Sequence, residues 1–411
     1  MNNSSRAIRH SVPHVVPHQL AHNDTKAGIT MGRELVRKQF PDLPYNPTKR
    51  IARMKLPVNG VYDYSRAYLL IECNCTRVGG TYVRFPDGIW NIIRQVRLLE
   101  GTKELMLINH YGYLHSIIWE MGHQPGSEAT LGFSLYGIAN QATRNGWATG
   151  KQYVLPFLFE LLTAKVLDYA HLRHALTMEI TFQDPAALLE TDALTYSWEV
   201  TDLNMYTDHM KKAHREYRRK MRGLNTLHYQ VEHYRPYITN LTSAALNYTI
   251  PHTSQAMTGL MIVMRDLNTV SDPTVNNKFK TYNRNNATFL RIKLNEEYLP
   301  EEPLALGAPY LLPYMAYLNF LGHWEAAGEY GNVVPLNVNQ YANNKFVLFY
   351  DFEDHPHFYE KYLNMREAHP DSNFTLELTF AAPPATTQEV MVWIHTSAVV
   401  IKKAGLLNVI E

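Results

Sequence analysis

The chain is poor in cysteine: two among 411 residues, both in the run Glu72-Cys73-Asn74-Cys75. Alternate residues of a strand point to one face, a poor geometry for a disulfide, and no further cysteine exists to complete a zinc centre. Two buried free thiols in a reducing compartment are the expectation. An excess of charge is missing too. The 39 Lys and Arg stand against 38 Asp and Glu, a net charge of +1, which argues against a surface that grips nucleic acid all over. The first residues, MNNSSRAIRHSVPH, contain no apolar stretch of a secretory leader, so a cleaved signal is not expected. One uncharged run, from Pro303 to Trp324, is long enough to cross a bilayer, but three prolines, Gly307, Gly322 and Asn319 interrupt it. A buried loop followed by a short helix is expected there.

Catalytic signatures are equally scarce. The sequence has no phosphate-cradling glycine loop, no Gly-x-Ser-x-Gly and no His-Glu-x-x-His. His355-Pro-His357 with Glu360 imitates a cupin metal motif, but the carboxylate is one residue too close and the matching place near Glu160 has no histidine. His323-Trp324-Glu325, with His355, His357 or His369 downstream, fits half of an iron facial triad. His171 and His174 lack a third ligand nearby and read as surface. Glu179 and Glu377 would be the carboxylate pair of a glycosidase only if they stood on one site. No cofactor is expected.

What the sequence does have is 27 tyrosines, 15 phenylalanines and a repeated strand. LTMEITF at 176–182 alternates apolar and polar residues, the period of a half-buried strand, and returns as FTLELTF at 374–380. Other landmarks recur in the same order. YVLPFLFE (153–160) answers FVLFYDFE (346–353), aligning Phe159 with Phe352, and ANQA (139–142) answers NQYA (339–342). YLHSIIWEMGH (113–123) answers YMAYLNFLGHW (314–324), and Trp198 answers Trp393. Ordered landmarks at a nearly constant offset mark an internal duplication, and each copy is long enough for a complete sandwich.

The predicted architecture is all-β: two consecutive eight-stranded jelly rolls with short mid-domain helices. In the first copy, RAYLLIECNCTR (66–77), IIRQVRLLE (92–100), KELMLIN (103–109), LGFSLYG (131–137) and the later runs read as strands. A helix near 111–121 is expected to end at Gly122 with positive φ. The second copy reads likewise, and Phe182 and Phe380 should both face a core. The division is 1–55 as a basic N-terminal arm, 56–208 as the first jelly roll, 209–223 as a basic connector and 224–411 as the second. The arm carries Arg6, Arg9, Lys26, Arg33, Arg37 and Lys38, with a short helix near 29–39, and its charge suits an inward position over polyanion. The connector HMKKAHREYRRKMRG reads as a helix with a solvated basic face. The polar run at 268–286 has no counterpart in the first copy and reads as an exposed outer loop.

This pattern of duplicated domains, mid-domain helices and the segment YVLPFLFELLTAKVLDYAHLRHALTMEITF resembles the double jelly-roll major capsid proteins of tectiviruses, adenoviruses, virophages and nucleocytoplasmic large DNA viruses. The resemblance covers the chain from about residue 56 onward. It implies a non-enzymatic virion protein made in the host-cell interior, three copies of which form a pseudo-hexameric capsomer that tiles an icosahedral shell. It implies as partners neighbouring capsomers, penton and minor capsid proteins, and an internal membrane or genome beneath the arm. Two other readings stay open from the residues. One is a metal-dependent enzyme on a double β-sandwich led by His323 and Glu325; the other is a carbohydrate-binding sandwich using Trp198 or Trp393 as platform.

Overall fold

The structure is a computed structural model that describes residues 33–39, 43–46, 50–56, 60–122, 128–145, 151–156, 166–168, 172–210, 226–251, 257–294, 297–320, 336–352, 374–403 and 405–410. Its first half contributes β1 (Arg33–Gln39), β2 (Leu43–Asn46), β3 (Ile51–Lys55), β4 (Val61–Val78), β5 (Val83–Arg84), β6 (Ile93–Glu100), β7 (Lys103–Asn109), β8 (Lys151–Pro156), β9 (Val166–Asp168), β10 (Leu176–Phe182), β11 (Glu190–Thr191) and β12 (Thr195–Met210). Two sheets face each other, in the orders β1-β12-β4-β8 and β2-β3-β10-β6-β7. The strand β9 adds to β4, and β5 pairs with β11 in a small third sheet.

The second half contributes β13 (Thr226–Leu241), β14 (Ala245–Ile250), β15 (Met257–Asp266), β16 (Ala287–Leu294), β17 (Glu297–Ala305), β18 (Val347–Asp351), β19 (Phe374–Phe380), β20 (Gln388–Lys403) and β21 (Leu406–Ile410). Its sheets run β13-β20-β15-β18, with β21 on β20, and β14-β19-β16-β17. Strand for strand this is the order of the first half: β1-β12-β4-β8 matches β13-β20-β15-β18, and β3-β10-β6-β7 matches β14-β19-β16-β17. Each half is an eight-stranded jelly roll, and the fold is a double jelly roll.

The two echoing strands hold equivalent places, β10 between β3 and β6, and β19 between β14 and β16. Glu179 and Glu377 are the fourth residue of each, and they face Arg97 and Arg291 across the ladder. The alternation serves the core as its period requires: Leu176, Met178, Ile180 and Phe182 are buried on one side, Phe374, Leu376, Leu378 and Phe380 on the other. Trp198 and Trp393 lie buried on the equivalent strands β12 and β20. Core packing therefore accounts for both, and neither is a sugar platform. Every residue of β15 from Met257 to Met264 is buried, the mark of a strand covered on both faces.

Between β7 and β8 lies helix α1 (Tyr111–Gly122), followed by a π-helical stretch (Glu128–Tyr136) and α2 (Gln141–Asn145). Between β17 and β18 lie α3 (Leu311–Phe320) and α4 (Val338–Asn344). The repeated NQ landmark thus marks the short helix before β8 and β18 in both copies. On α4 the cap is complete: Asn337 Oδ1 accepts from the Asn339 and Gln340 amides at 3.1 and 3.0 Å, and Gln340 Oε1 accepts from the Asn337 amide at 2.9 Å. That helix carries the buried Tyr341, whose hydroxyl donates to Val347 O at 2.6 Å and lies 3.2 Å from Pro313 O, bringing α3 and β18 together. Asn337→Ala should lower stability by about 1 kcal/mol, read as a shift of the denaturant midpoint with an unchanged slope.

Several expectations are corrected. Residues 33–39 form a strand, not part of a helix, and β1 pairs along its length with β12, from Arg33 opposite Met210 to Gln39 opposite Asn204. With β3 pairing β10, the first jelly roll begins at Arg33 rather than at residue 56. The reason is topological: without β1 and β3 neither sheet of the first sandwich would have its full set of strands. The connector expected from residue 209 begins later, because His209 and Met210 end β12; residues 211–225 lie outside the described residues. LGFSLYG belongs mostly to the π-helical stretch instead of a strand. Gly122 is the last residue of α1 and does not take a positive φ. The uncharged run from Pro303 resolves into the end of β17 and α3, and among the described residues no helix is long and apolar enough to cross a membrane. Phe352 is buried, and Phe159 lies outside the described residues.

Candidate functional site at the seam between the two sandwiches

The polar run at 268–286, expected as an outer loop, packs instead against the first jelly roll. It connects β15 to β16, and its middle is buried: Lys278, Phe279, Lys280 and Tyr282. Their charges and rings find partners across the seam, which is why so polar a segment can leave water. Lys278 Nζ donates to Ala186 O at 2.9 Å, and the Thr191 amide donates to Pro273 O at 2.8 Å. Phe279 stacks on Tyr113 of α1 at 4.4 Å between centroids, and the Arg265 guanidinium covers that tyrosine at 3.7 Å. Arg265 is itself ion-paired with Glu389 of β20.

Two charged clusters lock the seam. In the first, Glu190 of β11 is fully buried and takes Arg84 of β5 at 2.8 Å and Arg144 of α2 at 3.1 Å. Its other oxygen accepts from the Asn277 amide of the second sandwich at 2.8 Å. The arginines also cross over: Arg84 donates to Asn276 Oδ1 at 2.6 Å and Arg144 to Asn277 Oδ1 at 3.4 Å. In the second cluster, Glu120 near the end of α1 meets Lys280 at 2.6 Å and Lys345 at 2.7 Å. Lys280 also reaches Asp87 Oδ2 at 2.7 Å. Burial alone would push the Glu120 carboxyl up, but the two ammonium groups outweigh it and hold it down at about 2. Burial would likewise lower Lys280, yet Glu120 and Asp87 raise it.

The mid-domain helices meet at the same seam, where the Tyr317 hydroxyl of α3 donates to Met121 O of α1 at 2.7 Å. The start of α1 can approach the preceding chain because residue 112 is glycine: a Cβ there would stand 2.9 Å from Asn91 Cα and 3.0 Å from Trp90 O. Beyond β20 the strand β21 adds a further clasp. Lys103 of the first sandwich donates to Leu407 O at 3.0 Å, Glu100 accepts from the Leu407 amide at 3.0 Å, and the Arg173 amide donates to Gly405 O at 2.8 Å.

Chemically this arrangement holds; among the described residues it offers no nucleophile beside a base. Burial lowers His115, stacked on Trp90 at 4.4 Å, to about 3, and His233 to about 4, so both rings are neutral. Burial raises both thiols, and Cys73 and Cys75 are free and buried. Glu179 is held by Arg53 at 2.5 Å and Arg97 at 3.0 Å, while Glu377 lies in the other sandwich, so the two carboxylates share no site. Among the described residues no three His, Cys, Asp or Glu side chains gather as metal ligands. His323, Glu325, His355, His357, Glu360, His369 and His171 lie outside the described residues, as do Arg6, Arg9 and Lys26. Arg33, Arg37 and Lys38 are placed on β1. The seam itself was not foreseen; the one signal available was a set of lysines and aromatics, Lys278 to Tyr282, inside an otherwise polar run.

No protein-family model matches the sequence, and no curated protein matches it. Solved structures do share its fold. The Faustovirus major capsid protein aligns with a TM-score of 0.64 at 10% identity, over 95% of this chain and 93% of that one. PBCV-1 VP54, in a structure fitted into a reconstruction of the virophage Sputnik, gives 0.62 at 11% identity, over 94% and 98%. The mavirus major capsid protein gives 0.52 at 10% identity, over 97% and 94%. The chain thus has the double jelly-roll fold of these viral major capsid proteins across nearly its whole length and theirs.

Proposed function

We propose that the chain is a structural major capsid protein of a virion, that three copies form a pseudo-hexameric capsomer, and that these capsomers tile an icosahedral shell. The observation that carries this reading is the seam. Two complete jelly rolls of one topology are held side by side by buried, mutually compensated charges, so one chain presents two fixed, similar units. Three such pairs close like six subunits, while loops that differ between the copies break the sixfold equivalence. The full-length fold likeness to capsid proteins supports the reading.

Neighbouring capsomers, penton and minor capsid proteins are the partners this reading names, together with lipid or genome beneath Arg6, Arg9 and Lys26. Arg33, Arg37 and Lys38, of the same proposed inward-facing set, lie on strand β1. The protein would be made inside the host cell and reside in the virion. Analytical ultracentrifugation of the purified chain is expected to give a particle of three 47.4 kDa chains, and negative-stain images should show a hexagonal outline. A monomer at micromolar concentration, or a dimer, would overturn the capsomer reading.

A further inference from the structure

At one end of the second jelly roll, the tail of the 268–286 run meets the C-terminal end of α4. Asn283, Arg284, Asn285, Asn286, Ala342 and Asn343 line an open cleft of about 280 Å³. That is just below the roughly 300–1,000 Å³ of pockets that take drug-sized ligands, so it suits one ring and its substituents. Four of its six lining residues are asparagines, and its one formal charge is Arg284.

The polar groups are held in place from behind. Asn283 and Asn285 both donate Nδ2 to Gln388 Oε1, at 3.0 and 3.2 Å, and Gln388 is fixed in turn by Thr386 O and Oγ1 at 3.1 and 2.9 Å. With the amide nitrogens turned onto Gln388, each asparagine offers its Oδ1 as an acceptor. The Arg284 guanidinium lies over the Tyr310 ring at 4.5 Å, and one of its nitrogens donates to Asn286 Oδ1 at 3.3 Å. Its remaining N–H groups are left for a planar anion. Three residues around the cleft hold left-handed backbone: Asn285 and Asn286 at φ 54° and Tyr310 at φ 64°. For a bulky tyrosine this is costly, and such cost persists where the surroundings impose it, often at ligand sites.

We propose that this cleft binds a sugar bearing a carboxylate, with Arg284 taking the carboxylate and the asparagine amides taking ring hydroxyls. Preset acceptors match hydroxyl donors, and a lone arginine without an opposing Asp or Glu among the lining residues selects an anion over a neutral ring. The site is independent of the capsomer reading, because it lies within one jelly roll of one chain.

The test is saturation-transfer NMR on the full-length protein with the methyl glycoside of N-acetylneuraminic acid, against methyl galactoside and sodium acetate. Saturable transfer to the acidic sugar is expected, with the neutral sugar weaker by about tenfold or more, as loss of a charge-assisted pair implies. Arg284→Gln should weaken the acidic sugar by a similar factor, and Asn343→Ala, at an exposed helix position that tolerates truncation, should weaken both sugars. No transfer to the acidic sugar, or transfer unchanged in both variants, overturns the proposal. Equal binding of the neutral sugar removes its acidic specificity and overturns it too. Displacement by acetate at equal concentration would reduce the cleft to a plain anion site, which also overturns it.

Discussion

Glu190→Ala is expected to destabilise the protein by about 3–5 kcal/mol, the usual cost of removing one partner from a buried ion pair. The carboxylate is fully buried between Arg84 and Arg144, whose side chains are almost as inaccessible. Once it is gone, two guanidinium charges remain in a space closed to water. Arg84 keeps Asn145 and Asn276, and Arg144 keeps Ala139 O and Phe85 O, but none of these is an anion. The Asn277 amide loses its acceptor as well, so the damage crosses from the first sandwich into the second. Denaturant titration gives the magnitude. Hydrogen exchange gives the location: protection should fall at 274–282 while β10 and β19 stay protected. A loss below about 1 kcal/mol would mean that the arginines find other partners and that the carboxylate is not the lock.

The fold was legible where a strand has one wet and one dry face. LTMEITF and FTLELTF are inner strands of their sheets, flanked on both sides, so burial selects their alternation residue by residue. β1 was illegible for the opposite reason. It is an edge strand reading RELVRKQ, and with a neighbour on one side only among the described residues its sequence is free to carry charge. β17 reads EYLPEEPLA and also lies on an edge, bonded among the described residues only to β16; there the prolines that argue against a strand cost no second ladder. LGFSLYG misled because a short apolar run fits strand and helix equally. The seam was hidden by a different limit. Lys280 looks like any surface lysine until Asp87 and Glu120, far away in sequence, are placed against it. Pattern reports which residues leave water on their own account, and it is silent about charges that leave water in pairs.

The second cluster should make stability depend on acid. The Glu120 carboxyl stands at about 2 in the folded protein against an ordinary value of 4.5. A depressed carboxylate stabilises the fold above its ordinary value, and that contribution fades as pH falls from about 4.5 toward 2. A displacement of this size is worth about 3 kcal/mol at neutral pH. Glu120→Gln keeps the shape and removes the charge, leaving Lys280 to Asp87 alone and Lys345 without its carboxylate. At pH 7 the variant should therefore be less stable by about 3 kcal/mol, and the gap should close progressively below pH 4.5. Other depressed carboxyls, such as Asp192 held by Thr81 and the Tyr82 amide, titrate alike in both proteins and cancel in the difference. Denaturant midpoints measured from pH 7 to pH 2.5 would trace it. Two parallel curves would show that Glu120 is not ionised against the lysines in the folded state, and the clasp between the sandwiches would then rest on Glu190 and its arginines.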